Sequence, residues 1–75
     1  MRLTAKSSWK TGATVRGKYL GQEFTGRLTD DCRPTPGGSN VIFIVELDTP
    51  ITVLGTERRK VEIWTNDDVN YVETQ

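Results

Sequence analysis

The stretch VRGKYLGQEFTGRLT, Val15 to Thr29, decides the fold. Three glycines stand at unequal intervals among β-branched and aromatic residues, and Arg16, Lys18 and Arg27 fall between the apolar positions. A two-residue loop at Gly21-Gln22 makes the stretch a hairpin, with glycine at the position of a type II′ turn that needs positive φ. That register predicts Val15 opposite Leu28, Gly17 opposite Gly26 and Tyr19 opposite Phe24 on one face. The other face then carries Arg16 across from Arg27, with Lys18 beside Thr25. Facing glycines in mid-hairpin imply a sharp bend or the close approach of another backbone.

Beyond Asp30-Asp31 the run CRPTPGGSN reads as a loop. The most apolar run follows, VIFIVELD from Val41 to Asp48, short and β-branched, which predicts a central strand covered on both faces at its start and ended by Pro50. ITVLG leads through Gly55-Thr56 into ERRKVEIW, where alternation puts Val61 and Ile63 inward and Arg58, Lys60, Glu62 and Trp64 on the other face. TNDD reads as a tight turn or single 3₁₀ turn, and VNYVE as a closing strand. Thr occurs 11 times and Val 7 times against 2 Ala, and no segment has a helical period, so the chain reads as all-β. Five strands, a long loop after the second and a turn before the last describe a small SH3-like barrel. Residues 1–8 are expected to be a loose arm and residues 9–75 the domain.

Seventy-five residues allow one domain, and a chain this short buries only about 60% of the surface its unfolded form exposes, so a partner or second copy would help its core. Hydrophobic residues at 35% and charged residues at 27% are those of a chain that folds. Ten basic and ten acidic residues cancel, which weighs against a general affinity for phosphate backbones. The halves differ, however: residues 1–33 carry a net +4 and residues 34–75 a net −4. A single cysteine, Cys32, excludes an internal disulfide, and without histidine the usual zinc ligands are missing. A reducing cytoplasm fits that usage. The first ten residues have no apolar stretch behind their charge and no run of 18 apolar residues occurs, so neither a signal peptide nor a membrane span is expected.

Residues GATVRGKYLGQEFTGRLT (12–29), followed by VEL (45–47), VEIW (61–64) and a short last strand, resemble the plasmid-borne, trimethoprim-insensitive class of dihydrofolate reductase. The resemblance covers most of Gly12 to Glu73, apart from the 32–40 loop and LDTPITVLG. It implies an SH3-like barrel assembled as a homotetramer around one central pore. Tudor and KOW barrels share the same G-x-x-V…G…F-x-G pattern. In the reductase family a Val-Gln-Ile-Tyr run lines the pore together with a first-strand lysine. The matching run here is Val61-Glu62-Ile63-Trp64, and the lysine position falls on Gly17, beside Lys18. Symmetry would gather copies of Glu62 in that pore, where like charges repel strongly. The resemblance therefore carries the fold rather than the function.

Arg16, Lys18, Arg27, Arg58 and Lys60 form a basic group on outer faces, and Arg16 opposite Arg27 calls for an anion between them. An intramolecular acid, Glu46 or Glu62, is the plain candidate; a phosphate or an acidic protein surface is the other. Trp9 and Trp64 are amphipathic aromatics suited to anchoring a partner, with Trp64 facing out beside Arg58, Lys60 and Glu62. Catalytic chemistry is thin. The doublets Asp30-Asp31 and Asp67-Asp68 suit turn capping, and Cys32 lacks an adjacent general base. These residues read as a non-enzymatic binding module without cofactor or metal, an adaptor or inhibitor in the style of small phage or plasmid proteins. Its partner would be a protein ahead of nucleic acid, and a divergent reductase is the enzymatic alternative.

Overall fold

A computed structural model describes residues 10–38, 40–65, 67 and 69–75. Among these residues there is no helix, and hence none long and apolar enough to cross a membrane. The elements are β1 (Thr14–Tyr19), β2 (Gln22–Leu28), β3 (Arg33–Pro34), β4 (Val41–Val53), β5 (Thr56–Trp64) and β6 (Tyr71–Thr74). They form one antiparallel sheet in which β6 pairs β1, β1 pairs β2, β2 pairs β4 and β4 pairs β5, while β3 lies along the start of β4. The sheet curls into a half-barrel around its own apolar face.

The β1–β2 register differs from the expected one by two residues. Val15 lies opposite Gly26, Gly17 opposite Phe24 and Tyr19 opposite Gln22. The loop is Leu20-Gly21, with φ of 46° and 83°, the two positive values of a type I′ turn. Placing glycine first in the loop would have spared Leu20 the left-handed region, which costs a leucine roughly 1–2 kcal/mol. The type I′ loop prevails because its twist matches that of the strands it joins. β4 and β5 are joined the same way, through Leu54-Gly55 with φ of 51° and 77°, rather than through Gly55-Thr56. Because side chains alternate with period two, a slip of two residues preserves the faces. Val15, Phe24 and Leu28 are buried as expected, with Tyr19 packed at the edge of the core.

The cross-strand pairs do change. Arg16 lies opposite Thr25 and Arg27 opposite Thr14, so the two arginines do not face each other, and Lys18 lies opposite Glu23. Gly17 and Gly26 do not face each other either. A Cβ on Gly17 would overlap the carbonyl oxygen of Tyr71 on β6, and one on Gly26 would overlap that of Glu46 on β4. Each glycine lets a flanking strand cross close over the hairpin, which is how the sheet coils.

β4 is the spine. Val41 through Val45 are all buried, with Phe43 and Val45 opposite Ile63 and Val61 in the core. Ile42 and Ile44 are buried on the second face, where Arg33 and Trp64 flank Ile42 and Glu62 lies opposite Ile44. The chain after β2 follows the β4 edge: Thr29 donates its N–H to the Ile44 carbonyl at 3.0 Å, and the Ile44 N–H lies 3.3 Å from the Cys32 sulfur. Pro50 does not end β4. The strand passes through it by an irregularity between Glu46 and Ile51, after which Ile51 pairs with Arg58. A bulge accommodates the missing proline N–H and bends the strand away from β2.

Candidate functional site

The residues singled out in the sequence lie mostly on the outer face of the curled sheet, and the ladders interleave them with acids. Arg16 lies opposite Glu73 on β6 and its Nε donates to Glu73 Oε1 at 3.0 Å. Arg27 and Lys60 both lie opposite Glu46, one from each side. Lys18, half-buried, stands between Glu23 and Tyr71. Arg58 is exposed beyond the β4 bulge, opposite Ile51. Among the described residues Arg16 and Arg27 form no facing pair that demands an external anion, and the face is mixed in sign. Its exposed pairs contribute little to stability individually, a median near 0–1 kcal/mol by the usual measure of exposed pairs.

Trp64 is the distinctive member. Its side is 39% exposed as a residue, and the indole N–H donates to Glu62 Oε1 at 3.2 Å. The other carboxylate oxygen of Glu62 lies 3.5 Å from Arg33 Nη2. Arg33, Glu62 and Trp64 come from strands on either side of Ile42 and Ile44, so a polar clamp holds the indole beside a buried aliphatic floor. Arg33 was not singled out by sequence reasoning, because its proximity depends on β3 pairing across β4. Of the run matched to the reductase pore, Val61 and Ile63 are buried in the core while Glu62 and Trp64 face out. Trp9 lies outside the described residues, as does the expected arm of residues 1–8.

A groove of about 430 Å³ lies on another part of the molecule. It opens where β4 leaves β2 after the Gly26–Leu47 pair, so its walls are the first half of β2 and the Thr49–Ile51 arc. Phe24 and Gly17 lie at its base, and the Arg16–Glu73 pair lies at its mouth. Sequence reasoning does not anticipate it, since Pro50 looks like a strand end.

The remaining candidates have structural roles. Cys32 is buried, and desolvation holds its thiol pKa above the ordinary value despite a hydrogen bond to the Ile44 backbone. A thiol so placed is a poor nucleophile. Asp67 accepts from the N–H groups of Asn70 and Val69 and from the Asn70 side chain, which lowers its pKa and caps the turn before β6. Asp68 lies outside the described residues. Among the described residues no three His, Cys, Asp or Glu side chains are grouped so as to hold a metal ion.

The described chain is thus a small all-β domain with an exposed aromatic clamp and a separate groove. A family model described as "Glyoxalase superfamily protein" matches residues 1–68, and the chain belongs to that family. No curated protein and no solved structure matches it.

Proposed function

We propose that this chain is a binding module, a five-stranded SH3-like barrel with β3 as an added edge piece, that docks a protein partner through the face centred on Trp64. The strand order β6-β1-β2-β4-β5 supports the barrel reading. The observation that carries the docking reading is the half-exposed indole held by Glu62, whose carboxylate is in turn paired with Arg33. A tryptophan restrained before contact loses little side-chain freedom on binding, and it offers a large apolar surface with its N–H already satisfied. Lys60 and Arg27, farther along the same outer face beside Glu46, would supply a polar rim, whereas Arg58 lies opposite Ile51 at the far end of β5. Their neighbouring acids favour a partner of mixed charge over a phosphate backbone, which rewards concentrated positive charge. The setting proposed is cytoplasmic.

The test is affinity capture of partners with the full chain, followed by calorimetry on the purified pair. Trp64→Ala is expected to weaken binding by about 2 kcal/mol or more, the scale of an interface hot spot. Arg27→Ala is expected to change binding by less than about 1 kcal/mol, as rim charges do. Binding that survives Trp64→Ala unchanged refutes the anchor.

A second reading follows the family description, a glyoxalase-type activity. Turnover of glyoxal by the purified chain, lost in no Trp64 variant, would favour it over the docking reading.

A further inference from the structure

We propose that the chain forms a symmetric dimer in which Leu54 of each copy seats in the groove of the other. Leu54 is 91% exposed and has φ of 51° in the β4–β5 turn. A type I′ turn favours asparagine, aspartate or glycine there, and burying the leucine removes apolar surface from water. The side chain is therefore unfavourable to its own turn and leaves apolar surface in water. Contact with an apolar surface relieves the second of these costs.

A matching socket lies on the same strand. The groove of about 430 Å³ sets Phe24, Pro50 and Ile51 among the polar lining residues Glu23, Thr25 and Thr49. Ile51 precedes Leu54 by three residues, about 10 Å along the chain, so projection and socket lie close together on the molecule. A surface that carries both is the condition for two-fold pairing, in which residue i of one copy meets j of the other and j meets i. The mouth is self-complementary as well, because Arg16 and Glu73 lie side by side there and a two-fold operation sets each against its opposite. Formal net charge is zero, so two copies approach without net repulsion. The socket exists because β4 bends away from β2 at the bulge, leaving the β2–β4 ladder confined to Gly26–Leu28.

This surface is distinct from the Trp64 face. Trp64 and the Leu54-Gly55 turn lie at opposite ends of the nine-residue β5, so either proposal can fail without the other.

The experiment is sedimentation equilibrium of the full chain from about 1 µM to about 1 mM, the range in which small interfaces associate. The wild type is expected to rise from one to two chain masses. Leu54→Asn is expected to weaken association by about a hundredfold, since both copies lose a buried leucine. The same variant should melt at a higher temperature when dilute, because asparagine suits the turn. Thr25→Trp, which fills the groove from exposed Thr25 with a residue that favours strands, should likewise remain monomeric. A wild type that stays monomeric at the top of the range overturns the proposal. So does association unchanged in Leu54→Asn, or mass that grows beyond two chains, which would mean an open-ended contact.

Discussion

Gly26→Ala tests how the sheet is coiled. The added methyl would overlap the Glu46 carbonyl oxygen and approach Val45 Cγ1 to 2.9 Å, so backbone rather than a flexible side-chain end stands in the way. Restoring van der Waals contact requires β2 and β4 to separate by about an ångström. That strains the ladder over Gly26–Leu47, Arg27–Glu46 and Leu28–Val45. With a net worth of about 1 kcal/mol per hydrogen bond, weakening two or three costs about 2–3 kcal/mol. Overpacking against Val45 adds about 1 kcal/mol or more. Against this, alanine narrows the unfolded ensemble and returns about 0.4–1 kcal/mol. The balance is a loss of about 2–3 kcal/mol, equivalent to a fall in midpoint of roughly 10–20 °C for a domain of this size. Urea denaturation at one fixed protein concentration, followed by circular dichroism, measures it. A change within about 0.5 kcal/mol would mean that no strand crosses closely over Gly26, and the coiling argument would fail.

Leu20→Asn should stabilise the domain by about 1 kcal/mol, because Leu20 occupies the left-handed region at φ 46°, and urea denaturation would read the gain. Cys32 should react with a thiol reagent only as fast as the domain opens, since it is buried and its thiol pKa is raised; rapid labelling of the native protein would contradict this. The same shift means that its contribution to stability is full below the unfolded-state thiol pKa and declines as pH rises through the folded value. Asp67 has the opposite sign: its lowered pKa contributes above the unfolded-state carboxyl value and is lost as pH falls through the folded one. Asp67→Asn should therefore flatten the acid limb of a stability–pH profile, and an unaltered limb would show the cap to be inert.

Much of the core was legible in alternation alone. Val15, Phe24, Leu28, Val61 and Ile63 sit inward as their spacing requires, and the run from Val41 to Val45 is covered on both faces. Trp64 faces outward for the same reason, being one residue past an inward isoleucine. Pairings were less legible. A turn that tolerates one left-handed leucine, as each of the two Leu-Gly turns does, is selected by strand twist, a property of the paired strands rather than of the dipeptide. The resulting two-residue shift leaves every face intact while separating Arg16 from Arg27. The repeated Leu-Gly at 20–21 and 54–55 is the signal in hindsight, since each ends one strand and begins the next.

The sequence by itself determined the all-β class, which side chains enter the core and which aromatic is left outside, because these depend on local period and composition. Tertiary structure alone decided the partners. Glu73 reaches Arg16 from the last strand, Arg33 reaches Glu62 across β4, and the groove opens where a bulge carries the chain through Pro50. Each depends on residues far apart in the chain meeting in a particular register, and register is set by the balance of twist, close backbone approach and core packing over the whole sheet.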